Sequence, residues 1–184
     1  MAAVKVSPAG RVSIGAQDAH VWLTQPDSIR DAALLERYFA LLGPEEQARH
    51  ARYLFDKDKH LFLVAHALVR CTLSRYDARA PSDWTFVIGA HGRPEIAPGT
   101  CELPLRFNLS HTPGLVACAV TLGRDVGVDV EWMDRRSETV SIADRFFSAD
   151  EVRDLQALPV DRRRDGFFRY WTLKESYIKA RGMG

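Results

Sequence analysis

W-T-L-K-E-S-Y-I-K, Trp171 to Lys179, is the stretch from which the rest of the chain can be read. Wound as a helix, it aligns Phe168, Trp171, Glu175 and Lys179 at spacings of three and four residues, so two large rings, a carboxylate and an ammonium share one stripe. Alone, the stripe reads first as an amphipathic surface helix whose Glu175–Lys179 pair contributes about 0.3 kcal/mol. Two segments upstream change its meaning: G-V-D-V-E at Gly127–Glu131 and F-N-L-S-H-T at Phe107–Thr112. In this order the three motifs suggest a metal, a pyrophosphate and a proton acceptor meeting at one place.

The middle motif carries the chemistry. Val126 to Glu131 predicts a strand with Val126, Val128 and Val130 on one side and Asp129 and Glu131 on the other. Two carboxylates two residues apart lie roughly 6 to 7 Å apart along a strand. They are either plain solvent-facing acids or a pair whose mutual repulsion a divalent cation relieves. Mg²⁺ takes oxygen ligands from one or two carboxylates plus substrate phosphates. Glu175 on the same ion would complete a three-carboxylate set, and no histidine or cysteine cluster offers a softer metal a better site.

The bulk properties exclude several classes. The chain has 184 residues, 46% hydrophobic and 27% charged, as expected of one large globular domain or two small halves. A formal net charge of +1 argues against a nucleic-acid binder. No apolar run approaches the roughly 20 residues of a membrane span. Cys71, Cys101 and Cys118 have no metal-knuckle or C-x-x-C spacing, and this odd count without a recognisable secretory signal leads us to expect a reduced cytoplasm.

Along the chain, Arg11–Ile14 and His20–Leu23 read as edge strands, and Asp31–Leu42 as a helix stopped by Gly43-Pro44. Pro44 opens a second helix, expected to run to about Phe55 with Arg49 and Arg52 on its surface. The broadest apolar face, Leu61, Val64, Ala65, Leu68, Val69, Thr72 and Leu73, predicts a core helix over Lys59–Tyr76, with His66 as a hydrogen-bonded structural histidine. Trp84–Ile88 reads as a strand and Gly89–Ile96 as a turn that could set one cation, Arg93, beside a ligand. Residues 97–104 read as a linker between two halves, 1–100 and 101–184. Beyond it we expect strands over Leu105–Leu109 and Leu115–Leu122, with a turn between, and Gly123-Arg124-Asp125 as the next turn. A loop at Arg135-Arg136-Ser137, a short helix over Val140–Phe147, a capping box at Ser148–Glu151 and a last helix over Asp161–Arg181 follow.

These motifs together resemble the 4′-phosphopantetheinyl transferase superfamily in its Sfp-type branch. The matches are Gly92-Arg93-Pro94, Phe107-Asn108-Leu109-Ser110-His111, Gly127-Val128-Asp129-Val130-Glu131, Phe146-Phe147-Ser148 with Glu151, and Trp171-Thr172-Leu173-Lys174-Glu175 with Lys179. The resemblance covers about residues 35–184. It implies an α+β fold of two similar halves related by a pseudo-two-fold, each with a small antiparallel sheet and a long packed helix. It also implies transfer of the phosphopantetheine arm of coenzyme A to a serine of an apo carrier protein, with release of adenosine 3′,5′-bisphosphate.

By the same resemblance Asp129, Glu131 and Glu175 are expected as Mg²⁺ ligands, and Glu131 or Glu175 as the general base. Lys174 and Lys179 are expected near the phosphates, Lys179 also as a catalytic cation, with Ser110 and His111 contacting them. Without the family, His111 reads as a turn histidine bonded to its own loop. Arg93 and Pro94 are expected to border the adenine and 3′-phosphate, and Arg49 to serve the 3′-phosphate; Glu46 stands where some relatives carry a base. The carrier is expected to be an acidic acyl or peptidyl carrier protein, of fatty-acid or secondary-metabolite biosynthesis, docking on Arg162, Arg163 and Arg164. A monomer without nucleic-acid or membrane partners is expected. Relatives continue beyond the helix carrying Glu175 and Lys179, so the second half is expected to be incomplete, and a non-catalytic remnant that binds coenzyme A or carrier is the competing reading.

Overall fold

The computed structural model describes residues 10–89, 92–133 and 142–183, and within them the chain is a mixed α+β protein. Ala90 and His91 of the Gly89–Ile96 turn, the Arg135-Arg136-Ser137 loop and the start of the helix expected from Val140 lie outside the described residues. The elements run β1 (Ala19–Thr24), α1 (Ala32–Leu41), α2 (Pro44–Ala51), α3 (Asp56–Leu73), β2 (Phe86–Ile88), β3 (Pro94–Ile96), β4 (Leu105–Thr112), β5 (Leu115–Leu122), α4 (Ala143–Phe146), α5 (Ala149–Ala157) and α6 (Val160–Ala180). No helix among the described residues is long and apolar enough to cross a membrane.

β5 is the spine of the main sheet, whose order is β1-β5-β4 with both pairings antiparallel. Its sequence L-V-A-C-A-V-T-L is buried at every position but the two ends, which is why it reads as one apolar run rather than an alternation. β4 and β5 join through Pro113-Gly114, with Thr112 opposite Leu115. β1 is the edge expected from His20–Leu23, and it comes from the first hundred residues while its partners come from the rest. Arg11–Ile14 is not a strand; only Val12 bridges, its amide bonded to the Arg75 carbonyl at 2.7 Å. β2 and β3 form a separate two-stranded hairpin.

α3 packs on this sheet, and Val69, Leu73, Tyr76, Trp84, Phe107, Cys118 and Val120 form the main core between them. It begins at Asp56 and ends at Leu73, three residues earlier at each end than its apolar stripe predicts. The second helix closes at Ala51, not Phe55, because a separate turn intervenes before Asp56 opens α3. The buried face of α3 is wider than predicted and includes Phe62, Leu63, Ala67 and Arg70. α4, α5 and α6 enclose a second core of Ala143, Phe147, Leu155, Phe167 and Phe168. Ser148 caps α5 with the predicted reciprocal box to Glu151.

Buried Arg70 is neutralised by Glu46 at 2.5 Å and also donates to the carbonyls of Pro81, Ser82 and Trp84. Glu46 in turn bonds His66 Nδ1 at 2.6 Å and the Gly43 amide at 2.8 Å, so His66 is the structural histidine expected. Burial alone would raise the Glu46 carboxyl, but the His66 hydrogen bond, the Gly43 amide and the nearby charges hold it down to about 2. A carboxyl lowered below its unfolded value stabilises the fold above that value, and the contribution is lost as pH falls through the folded one. It is worth about 3 kcal/mol at neutral pH. Urea unfolding should therefore show stability falling as pH drops from the ordinary carboxylate range toward 2, with Glu46→Gln weaker at neutral pH and flatter in acid. An equally steep acid slope in the variant would show that Glu46 is not its source.

Candidate functional site

The segment carrying Asp129 and Glu131 is extended but is no strand: it makes no backbone ladder with β4. Side chains of β4 replace the ladder. The Val128 amide donates to Asn108 Oδ1 at 2.9 Å, and the Val130 amide to Ser110 Oγ at 3.2 Å. Asn108 and Ser110 alternate on one face of the pleat, so the period-2 spacing of the two donors' partners matches along both chains. On the segment's other side lies α6. A Cβ on Gly127 would fall inside the Ser176 carbonyl and 2.6 Å from the Ala180 amide, so only glycine lets the two backbones approach this closely.

This wedge brings the α6 stripe onto both carboxylates. Lys179 Nζ lies 2.6 Å from Asp129 Oδ1 and 3.0 Å from Ser110 Oγ, and the Ser110 hydroxyl donates to the same Oδ1 at 3.1 Å. Two turns earlier, about 12 Å along the axis, Trp171 Nε1 donates to Glu131 Oε1 at 3.0 Å. The two acids are thereby drawn to different points of one helix. Asp129 Oδ2 is buried with no hydrogen-bond partner among the described residues. Glu175 and Lys179 line a cleft of about 350 Å³ together with Gly92, Arg93, Pro94, Asn108, Leu109 and Gly182.

Arg93 enters this cleft from the β2–β3 hairpin and closes the end of α6. It donates to the carbonyls of Lys179 at 3.2 Å and Ala180 at 2.9 Å, and is paired with Glu95 and Asp125. The Arg181 and Met183 amides meet the Tyr177 and Ile178 carbonyls, and the Gly182 amide shares the Lys179 carbonyl with Arg93; Gly182 has φ 64°, a conformation glycine adopts without strain. His111 lies within β4, not in a turn. Desolvation first, then the positive charges of His66, Lys179 and Arg49, push its imidazole below the usual range. Arg49 is exposed, its guanidinium 5.5 Å from the centre of the Phe62 ring.

Other expected site residues stand elsewhere. Lys174 pairs with Glu151 at 2.7 Å and covers the Phe147 ring, tying α5 to α6; five residues from Lys179, it points about 140° round the helix. Two members of the arginine cluster make contacts within the protein. Arg163 donates to the Leu158 and Gln156 carbonyls and Arg164 to the Met133 carbonyl, so neutralising all three would loosen the second core as well as any partner contact. Asn108 was quoted in its motif without a role; its signal is the N-x-S alternation facing an extended acidic segment. Asn108→Ala leaves the Val128 amide unpartnered and should cost about 1 to 3 kcal/mol, read by urea unfolding; a variant as stable as the parent would mean that water replaces the bond.

Mg²⁺ can be tested against these residues. Among the described residues, no three of His, Cys, Asp and Glu group closely enough to hold an ion, so the three-carboxylate set is not assembled. What fits is narrower: a buried carboxylate oxygen without a partner on Asp129, hard oxygen chemistry of the kind Mg²⁺ takes, held by a lysine that lines the cleft, while Glu131 is bonded to Trp171 two turns away.

With this geometry described, comparison with known proteins adds an independent line. The family model for the 4′-phosphopantetheinyl transferase superfamily matches residues 125–184. The chain is 36% identical over 171 residues to the 4′-phosphopantetheinyl transferase HetI of Nostoc sp., covering 91% of this chain and 70% of that protein. It is 35% identical over 150 residues to the 4′-phosphopantetheinyl transferase Sfp of Bacillus subtilis, covering 81% of this chain and 64% of that protein. To the 4′-phosphopantetheinyl transferase AcpT of Escherichia coli it is 35% identical over 121 residues, 66% of this chain and 57% of that protein. The chain thus spans 57 to 70% of the length of these relatives.

Proposed function

Because this chain belongs to the 4′-phosphopantetheinyl transferase superfamily, we propose that it transfers the 4′-phosphopantetheine arm of coenzyme A to a serine of an apo carrier protein. Adenosine 3′,5′-bisphosphate leaves. The observation that carries the reading is the meeting of Asp129, Ser110 and Lys179 at the wall of the cleft that Glu175 also lines. Phosphoryl-type transfer needs positioned positive charge around the phosphates and a base for the attacking hydroxyl.

Lys179 supplies the charge at the cleft, and Lys179, His66 and Arg49 all act electrostatically on His111. Glu175, one helical turn before Lys179, is the group we assign to accept the serine proton, with Glu131 as the alternative. Arg93 and Pro94 form the opposite wall and border the nucleotide end. Asp129 and Glu131 would hold Mg²⁺, with Glu175 as a third ligand only if the helix face shifts toward them. When bound, the ion offsets the charge that develops on the phosphates. Cleft residues come from both sides of residue 100, which supports two α+β halves with the coenzyme between them. The carrier would be acidic, with Arg162 the member of its cluster best suited to meet it.

Intact-mass analysis of an apo carrier protein with coenzyme A, Mg²⁺ and this chain, against an EDTA control, tests the proposal. A metal-dependent gain of one phosphopantetheine is expected. No gain from folded chain would instead favour binding without turnover.

A further inference from the structure

Lys179 stands between a buried carboxylate and an open cleft. Its ammonium is spent on Asp129 Oδ1, at 2.6 Å, and on the Ser110 hydroxyl, at 3.0 Å, yet its side chain also lines the open cleft. Asp129 is 6% exposed and Lys179 27%, so the carboxylate is buried behind a lysine that still reaches solvent. The second oxygen of Asp129 is buried and unpartnered, which makes this carboxylate half satisfied: one lone-pair set is held by Lys179 and Ser110 and the other by nothing described.

A divalent cation taken up by Asp129 would lie within a few ångströms of that ammonium. Two like charges on one partly desolvated carboxylate repel strongly, and the flexible, four-carbon lysine stem is the part that can move. Asp129 cannot move, because Ser110 and the Asn108 and Gly127 contacts fix its segment between β4 and α6.

We propose that Lys179 is the resident counter-ion of Asp129 and exchanges with the divalent cation, so that cation entry releases the ammonium into the cleft for the phosphate of the incoming substrate. This rests on the cation-dependent reading above and extends it: the lysine is a positioning residue before it is a catalytic one. Before exchange it holds a buried carboxylate in register; after exchange the same charge meets the substrate anion. Binding of cation and of phosphate substrate are coupled through one side chain.

The test uses the 184-residue chain without coenzyme A. Lysine acetylation by an N-hydroxysuccinimide ester is followed at Lys179 by peptide mass spectrometry, with exposed Lys57 as internal reference, while Mn²⁺ affinity is read by electron paramagnetic resonance. Mg²⁺ should raise the rate at Lys179 relative to Lys57 at least about fivefold, as a paired ammonium becomes free. In Asp129→Asn that rate should be high from the start and indifferent to Mg²⁺. Lys179→Met should bind Mn²⁺ at least about fivefold more tightly than the parent, since the competitor is gone. Mn²⁺ binding that depends on Asp129 but leaves Lys179 reactivity unchanged, and is no tighter in Lys179→Met, overturns the exchange and leaves the cation site standing. No Mn²⁺ binding at millimolar concentration in either chain overturns the cation reading and this inference with it.

Discussion

Asp129→Asn should reduce phosphopantetheine transfer about a thousandfold while leaving the protein folded. The substitution is nearly isosteric, so the hydrogen bond from Ser110 survives, but the charge that pairs with Lys179 and would hold a cation is gone. Loss of cation-assisted charge stabilisation is worth several kcal/mol, and about 4 kcal/mol corresponds to three decades in rate. Removing the partner of a partly buried ammonium also costs folding free energy, though less here because Lys179 reaches solvent. Steady-state transfer to an apo carrier, with urea unfolding in parallel, separates the two effects. If Asp129→Asn kept a tenth of the parent rate, the carboxylate would be only a structural partner of Lys179, and the cation assignment would fall with it.

The second large effect is expected at a residue with no side chain. Gly127→Ala should destabilise the protein by about 3 kcal/mol or more, the upper range for overpacking against groups that cannot yield, and should lower transfer in what remains folded. The new methyl would meet the Ser176 carbonyl and the Ala180 amide, backbone atoms in the last turns of a hydrogen-bonded helix rather than a flexible side-chain end. Either α6 moves outward, separating Lys179 from Asp129 and Trp171 from Glu131, or the 126–131 segment slides and loses the Asn108 and Ser110 bonds. Thermal unfolding and the transfer assay read the two outcomes. An alanine variant matching the parent in both would mean that helix and segment sit further apart than described. By contrast Gly99→Ala, at a turn with open space around it, should touch stability modestly through its φ of 78° and leave transfer alone.

Much of this was legible before any coordinates. The apolar stripe of α3 marked a core helix, the unbroken run of β5 marked a buried strand, and the capping box at Ser148 marked where α5 begins. Helical spacing put Trp171, Glu175 and Lys179 on one face, and two of the three do meet the acidic segment. Local periodicity and capping chemistry suffice for these because each is decided within a few residues of chain.

Other features depend on contacts between distant elements, which no local pattern encodes. The alternation of Val126–Glu131 is that of a strand, yet its amides are taken by the Asn108 and Ser110 side chains, because α6 occupies the space at Gly127 and β5 already fills the other edge of β4. Lys174 and Lys179 look alike in sequence; the position of Glu151 on α5 makes the first a tie between helices, while Asp129 claims the second. Arg93 has the look of a ligand-facing loop cation, and the carbonyls of Lys179 and Ala180 at the end of α6 turn it into a clamp. Residue types and spacing set which chemistry is present: two acids two residues apart and a helix stripe carrying Trp171, Glu175 and Lys179. Which acid meets which cation is settled by packing, because a carboxylate takes the nearest donor that burial leaves it, and nearness across the chain is not encoded locally.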